Sequence, residues 1–208
     1  MCGRYVVKNP VTKTSSLVKS AIQVEDTENY NAHPYQKLPV IKKYKNGNTL
    51  EALKWGLVPG WAKDKEFKAL INARLETIDE KVSFKKLIKN HRCVAVADGF
   101  YEWKREENEK TPHYFVRKDS NVIYFAGIFE EDQFCLITEE AKENIKEIHH
   151  RQPVILNQAD VNRYLNLELQ GSAFLNERKV PDLVFHEVSK DVNKPTNNTV
   201  SLIQKISN

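Results

Sequence analysis

Apolar residues in this chain fall mostly into short runs rich in β-branched and aromatic side chains, separated by polar, turn-prone stretches. Runs at residues 2–7, 50–58, 93–103, 113–117, 122–129, 133–138 and 183–188 predict strands. Asp119-Ser120-Asn121, between two of these runs, predicts the turn of a hairpin at residues 118–121. Helical spacing is rarer. Leu17, Ala21 and Ile22 make a partial stripe over residues 17–24, and Phe84, Leu87 and Ile88 make one over residues 79–90. Thr138 reads as an N-cap, with Glu139 and Glu140 in a first turn and Ala141, Ile145 and Ile148 on one face. That helix would deliver His149 and Arg151 at its C-terminal end, before Pro153 stops it. Asn157 is a second N-cap candidate, ahead of Val161, Tyr164 and Leu165. The sum predicts an α+β fold: one domain over residues 1–208, its mostly antiparallel sheet curled toward a barrel, with peripheral helices. Residues 196–208 read as a polar surface tail in which Val200, Leu202 and Ile203 are the side chains able to dock.

Composition narrows the class. With 208 residues, 40% hydrophobic and 29% charged, the chain is long enough for a substantial core and ordinary for a soluble protein. No apolar run approaches the roughly 18 residues of a membrane span, and the first residues lack the basic and apolar regions of a signal peptide. The expectation is a cytoplasmic protein with no membrane partner. Cys2, Cys93 and Cys135 are too few and too scattered for a disulfide framework or a zinc site. Lys and Arg outnumber Asp and Glu by 32 to 28, which permits nucleic-acid binding without demanding it.

Five places carry candidate chemistry. Removal of Met1, plausible before a small second residue, would leave Cys2 with a free amine and a thiol on adjacent carbons. That pair condenses with an aldehyde and closes to a thiazolidine. An α-amine with a pKa of about 7.7–8.0 is partly neutral near pH 7, and an ordinary thiol sits near 8.5. Cys2 also reads as a small apolar residue opening a strand. Trp55 and Trp61 bracket a Gly- and Pro-rich turn; exposed, they would stack on unpaired bases, and buried, they would fill the core. Asn72 and Arg74, two apart, face one side of an extended stretch and suit phosphate or sugar contacts, unless Arg74 merely pairs with Glu76 at the surface. Glu102 between Tyr101 and Trp103 is a carboxyl whose pKa aromatic surroundings would raise, unless it points to solvent. In His149-His150-Arg151 one histidine suits acid–base work beside a phosphate-binding arginine; without an i,i+4 partner neither forms a helical metal site.

In order along the chain, Met1-Cys2-Gly3-Arg4, Asn31-Ala32-His33-Pro34, Trp55-Gly56-Leu57-Val58-Pro59, Asn72-Ala73-Arg74-Leu75-Glu76-Thr77, Asp98-Gly99-Phe100-Tyr101-Glu102-Trp103 and His149-His150-Arg151-Gln152-Pro153 resemble the SOS response-associated peptidase (SRAP) family, the abasic-site processing proteins. Arg92-Cys93, Phe125-Ala126-Gly127-Ile128 and Val154-Ile155-Leu156 extend the resemblance to nearly the whole chain. It departs from the family's usual Asp and Met at His150 and Gln152, and from its frequent Leu-Trp at Ile128-Phe129.

The resemblance implies a protein that binds single-stranded DNA at abasic sites and is covalently attached through Cys2 after Met1 is lost; a monomer with no cofactor and no metal is the accompanying expectation. It implies Cys2, Asn72, Glu102 and His149 as catalytic residues, and Arg4, Trp55, Trp61, Arg74, Trp103 and Arg151 as DNA contacts. Two rival readings stand beside it: an N-terminal-nucleophile amidohydrolase, in which Cys2 attacks an amide, and a non-covalent reader of modified bases.

Overall fold

The computed structural model describes residues 2–19, 22–45, 47–63, 66–107 and 109–206. Its strands run β1 (Tyr5–Lys8), β2 (Glu28–Ala32), β3 (Lys37–Tyr44), β4 (Gly47–Trp55), β5 (Asn72–Arg74), β6 (Arg92–Ala97), β7 (Gly99–Glu106), β8 (Glu109–Arg117), β9 (Ile123–Glu130), β10 (Gln133–Glu140), β11 (Arg151–Pro153), β12 (Ile155–Leu156) and β13 (Leu183–Glu187). Helices are short: α1 (Pro10–Thr14), α2 (Leu87–Asn90), α3 (Gln158–Leu165) and α4 (Ala173–Glu177).

Two sheets form. One has the order β13-β8-β7-β1-β2, antiparallel throughout. In the other, β4, β3, β6 and β9 pair in sequence, and β10 pairs with both β4 and β9. That double pairing closes the sheet on itself, which removes two free edges. Beyond the ring, β5 and β11 extend the far end of β10 on its two sides. The expected α+β fold with a curled, mostly antiparallel sheet is what forms.

The sheets share a core. Tyr5 packs its ring on Trp55 and Phe125, with centroids 5.2 and 5.7 Å away, and Phe100 stacks on Phe115 at 4.9 Å. All five rings are fully buried, and each such side chain contributes roughly 1.5–3 kcal/mol. A second cluster, including Ile41, Leu50, Val94, Tyr124, Ile137 and Leu165, fills the rest of the barrel and the underside of α3. Strand β6 is buried at every position, which is why its sequence Arg-Cys-Val-Ala-Val-Ala reads as a continuous run.

Several local expectations change. The run at 93–103 is two strands in two sheets, and the chain passes from barrel to flat sheet at Asp98-Gly99. A Cβ at Gly99 would meet the Phe115 carbonyl and the Tyr114 ring at 2.5 Å, so only glycine lets the backbones approach there. The turn at 118–121 exists, with Ser120 N–H donating to Arg117 O and Ser120 at φ 57°. Its flanking strands do not form a hairpin: β8 pairs with β7 and β13, β9 with β6, β10 and β12. Thr138 caps no helix. It lies inside β10, opposite Pro153 and Arg74, and only a 3-10 turn at Glu143–Glu147 follows. Pairing on both sides of β10 overrides the local helical pattern. Residues 79–90 supply α2 alone after a run of turns. Ala21 lies outside the described residues; around it, Val18 is buried and Ile22 bridges Leu50 in place of the expected helix. Helix α3 starts after Asn157 as expected. The C-terminal stretch forms a 3-10 turn at Val200–Ile203, where Leu202 docks at 1% exposure and Val200 stays 53% exposed.

Candidate functional site

Strand β10 organises one corner of the molecule. Along it, Leu136 aligns with Asn72, Thr138 with Arg74, and Glu140 with Arg151. The strands on its two sides thus bring Asn72 and the His149-Arg151 segment together. From the other sheet, β7 supplies Glu102, and the chain before β1 runs alongside β7, where Tyr101 N–H donates to Arg4 O. Cys2 falls between these pieces. Asn72 Nδ2 donates to the Cys2 carbonyl at 3.0 Å, and Asn72 Oδ1 is buried with no partner among the described residues.

Cys2 is fully buried. Burial first, and the Glu102 carboxyl second, push its thiol far above the ordinary range; the N-terminal amine and the Arg4 backbone N–H act the other way. The thiol is therefore protonated at neutral pH and needs a base to react. Glu102, 2% exposed, has its carboxyl pushed up to about 7 by burial, against the pull of the N-terminal amine. Both its forms are populated near neutrality, which suits a group that must give and take a proton. His149 Nε2 lies 4.0 Å from Glu102 Oε2. Burial first, then the N-terminal amine, push the imidazole down to about 4, so the ring is neutral at pH 7. Its Nδ1 is 3.0 Å from the Arg151 N–H and 3.1 Å from the Arg151 carbonyl. Accepting from that N–H places the ring proton on Nε2, facing Glu102, whereas donating to that carbonyl places it on Nδ1.

Glu102 and His149 open onto a cleft of about 470 Å³, completed by Arg4, Trp103, Arg105, Lys110 and Asn193. Three cations on its wall suit a polyanion. Clefts of about 490 Å³ beside Arg117 and Lys179, and about 840 Å³ beside Glu106 and Lys190, are lined by charged surface side chains but by no cysteine or histidine.

The remaining expected residues divide. Trp55 is not a stacking face: it is fully buried, stacked on Phe134 at 6.3 Å, with its indole N–H donated to Ile71 O at 2.9 Å. The end of a strand whose partners close the barrel turns it inward. Trp61 is 52% exposed and touches Phe67 edge-on. Arg74 is exposed at the end of β5 and, instead of it, Arg151 pairs with Glu76. Arg151 is 8% exposed, and its guanidinium is engaged by both Glu76 oxygens and by Thr138 O. A phosphate there would add to, or displace, an existing pair. Arg4 donates to Asn31 Oδ1 and Val192 O, and Trp103 Nε1 to Asn193 Oδ1. Arg105 and Lys110 were not anticipated. They are cross-strand partners of β7 and β8, so only the register of that hairpin reveals them as neighbours.

The closed α+β barrel thus carries an amide on the Cys2 carbonyl, a carboxyl electrostatically coupled to the Cys2 thiol, and an imidazole 4.0 Å from that carboxyl. The chain belongs to the SOS response associated peptidase (SRAP) family, whose model matches residues 1–195. It is 34% identical to abasic site processing protein YoqW of Bacillus subtilis (strain 168), over 98% of this chain and 99% of that one. It is 30% identical to abasic site processing protein YedK of Escherichia coli (strain K12), over 99% and 100%. A crystal structure of a Bacteroides thetaiotaomicron protein, 24% identical, superposes with a TM-score of 0.81 over 99% of this chain and all of that one. Among the described residues, no helix is long and apolar enough to cross a membrane, and no three His, Cys, Asp or Glu side chains group as metal ligands.

Proposed function

We propose that this protein processes abasic sites in single-stranded DNA by forming a covalent adduct through Cys2 once Met1 has been removed. The observation that carries the reading is the convergence, on one cation-lined cleft, of Glu102 with its carboxyl near 7 and neutral His149, with Cys2 coupled electrostatically to Glu102. The names of the relatives support the same substrate.

The chemistry proceeds in three steps. The freed amine of Cys2 adds to the C1′ aldehyde of the ring-opened sugar, giving a carbinolamine. Protonated Glu102 donates to the departing hydroxyl, water leaves, and a protonated imine (iminium) remains beside the Glu102 carboxylate. The Cys2 thiol then adds to the iminium carbon while the Glu102 carboxylate takes the thiol proton, which leaves the ring nitrogen as N–H and restores protonated Glu102. The balance is aminothiol plus aldehyde to thiazolidine plus water. His149, with its Nε2 proton toward Glu102, assists the opening of the sugar hemiacetal. Asn72 holds the Cys2 main chain, Arg4 and Arg74 meet phosphates, and Trp61 stacks on a flanking base. The imine also acidifies the C2′ proton, so slow ring closure would allow β-elimination and strand cleavage.

The test is incubation of the Met1-free protein with an oligonucleotide bearing one abasic site, followed by denaturing electrophoresis. Wild type is expected to give an adduct that survives denaturation without reduction. Cys2→Ala, with a verified free N-terminus, is expected to give only an imine that must be trapped by borohydride. An equally stable adduct from Cys2→Ala would sink the thiazolidine step.

A second reading is self-removal of Met1 by the same groups, favoured by the coupling of Glu102 to Cys2, the residue that follows the bond to be cut. Expression without methionine aminopeptidase and mass measurement of the product test it; a retained Met1 rejects it.

A further inference from the structure

We propose that Glu76 is a positioning residue for His149, acting through Arg151. Glu76 Oε1 accepts from Arg151 Nη1 at 2.7 Å and from the Glu140 backbone N–H at 3.0 Å. Its Oε2 accepts from Arg151 Nη2 at 3.0 Å. The same Nη2 donates to Thr138 O at 2.8 Å. One carboxylate thereby grips both the end of β10 and the start of β11, which are aligned at Glu140 and Arg151. Positioned by that grip, the Arg151 backbone N–H competes with the Arg151 carbonyl for His149 Nδ1, at 3.0 against 3.1 Å, and as the donor it selects the tautomer that turns Nε2–H toward Glu102.

An exposed ion pair would contribute little. This one differs in two ways. Although the Glu76 side chain is 46% exposed, that of Arg151 is only 9% exposed, and the pair is bidentate, which fixes orientation as well as distance. Burial pushes the Glu76 carboxyl up, but hydrogen bonds from Arg151 and the backbone outweigh it and hold the group below its ordinary value. It stays ionised across the neutral range.

The position of Glu76 in the chain gives the pair its leverage. Asn72, four residues earlier, holds the Cys2 carbonyl. A single five-residue stretch, crossing from β5 to the turn that follows, thus holds the nucleophile's main chain at one end and the imidazole's support at the other. Strand β10 lies between them as a common ruler. Sub-ångström errors in such a constellation cost about tenfold or more in rate.

Only the kinetic arm of the test rests on the abasic-site reading. The direct arm uses protein labelled with ¹⁵N-histidine and reads the His149 tautomer by NMR in wild type, Glu76→Ala and Glu76→Gln. Wild type is expected to show the Nε2–H form alone, Glu76→Ala a mixture of both forms, and Glu76→Gln, which keeps an acceptor for the Glu140 N–H, an intermediate mixture. The kinetic arm follows adduct formation on abasic single-stranded DNA. In Glu76→Ala the maximal rate is expected to fall about tenfold, while the DNA concentration for half-saturation moves less than about twofold. A wild-type tautomer in both variants overturns the proposal. So does a raised half-saturation with an unchanged maximal rate, which would make Glu76 and Arg151 a DNA-binding unit. If Glu76→Ala does not fold, Glu76→Gln decides both arms. If wild type forms no adduct, the abasic-site reading falls and the tautomer arm still decides this one.

Discussion

Cys2 and the pair Cys93 and Cys135 differ in their neighbours and not in their burial. All three thiols are fully buried and free. Burial is the first cause raising each of them. Around Cys93 and Cys135 the barrel offers mainly apolar walls and each other: the positions flank Gly127, where an added Cβ would lie 3.1 Å from Cys93 Sγ and 2.9 Å from Cys135 O. Around Cys2 the walls include a carboxyl near 7, the Asn72 amide and, beyond the carboxyl, a neutral imidazole. A raised thiol is inert in the first setting because nothing there takes its proton. In the second it is electrostatically coupled to a carboxyl near 7, the proton acceptor of the proposed reaction. Accessibility alone would not tell these sites apart; the neighbouring titratable groups do.

The largest expected effect is the loss of stable adduct. Cys2→Ala should lower the denaturation-resistant product by at least about a hundredfold, the general-base and nucleophile contribution together, while Cys93→Ala leaves it unchanged on the same gel. Equal losses from both would abolish the distinction. Next comes Glu102→Gln, which removes the proton carrier and should slow adduct formation by roughly 10²–10⁴-fold, taking with it the rate limb near pH 7 in a pH–rate profile.

The two tryptophans make a parallel contrast. Trp55→Ala should cost about 3–5 kcal/mol of stability in chemical denaturation, as the emptying of a packed aromatic site does. Trp61→Ala should change stability by less than about 0.5 kcal/mol and weaken single-stranded DNA binding by roughly 1–3 kcal/mol in a titration.

A pH effect on folding lies between the two tryptophan effects on stability. The fold raises the Glu102 carboxyl from 4.5 to about 7, so it favours the protonated form. That contribution is fully present below pH 4.5 and lost as pH rises through 7. At about 1.36 kcal/mol for each tenfold change in proton affinity, the loss is roughly 3 kcal/mol. Glu102→Gln should therefore unfold at higher denaturant than wild type at pH 8, with the gap closing by pH 4. A gap independent of pH would mean that Glu102 carries no buried charge. Cys93→Ala should cost about 1 kcal/mol, from one small cavity.

Much of the fold was legible in the sequence because strand patterns are local. The runs at 113–117, 122–129, 133–138 and 183–188 became β8, β9, β10 and β13 with shifts of a few residues at their ends. Asn72 and Arg74 lie on the short strand β5, outside the runs that predicted strands, and their spacing of two puts them on one side of it. The misreadings share one cause. Thr138 and Ala141 to Ile148 carry a helical pattern, yet β10 is held by β5, β9 and β11, and those ladders outweigh it. The run at 93–103 looked like one strand because each half is buried, in different sheets. Trp55 and Trp61 read alike in sequence, six residues apart, and only barrel closure distinguishes them.

The sequence alone determined the class of elements, the apolar faces and the identities of the residues able to react. Cys2, Glu102 and His149 are visible there as types. The tertiary structure decided which of them meet, because the contacts that join residues 2, 72, 102 and 149 depend on two sheets sharing one core and on β10 serving strands on both sides. It also decided their protonation. A carboxyl near 7 and a neutral imidazole at pH 7 arise from removing water around each group, and no stretch of sequence excludes water until the barrel has closed around it.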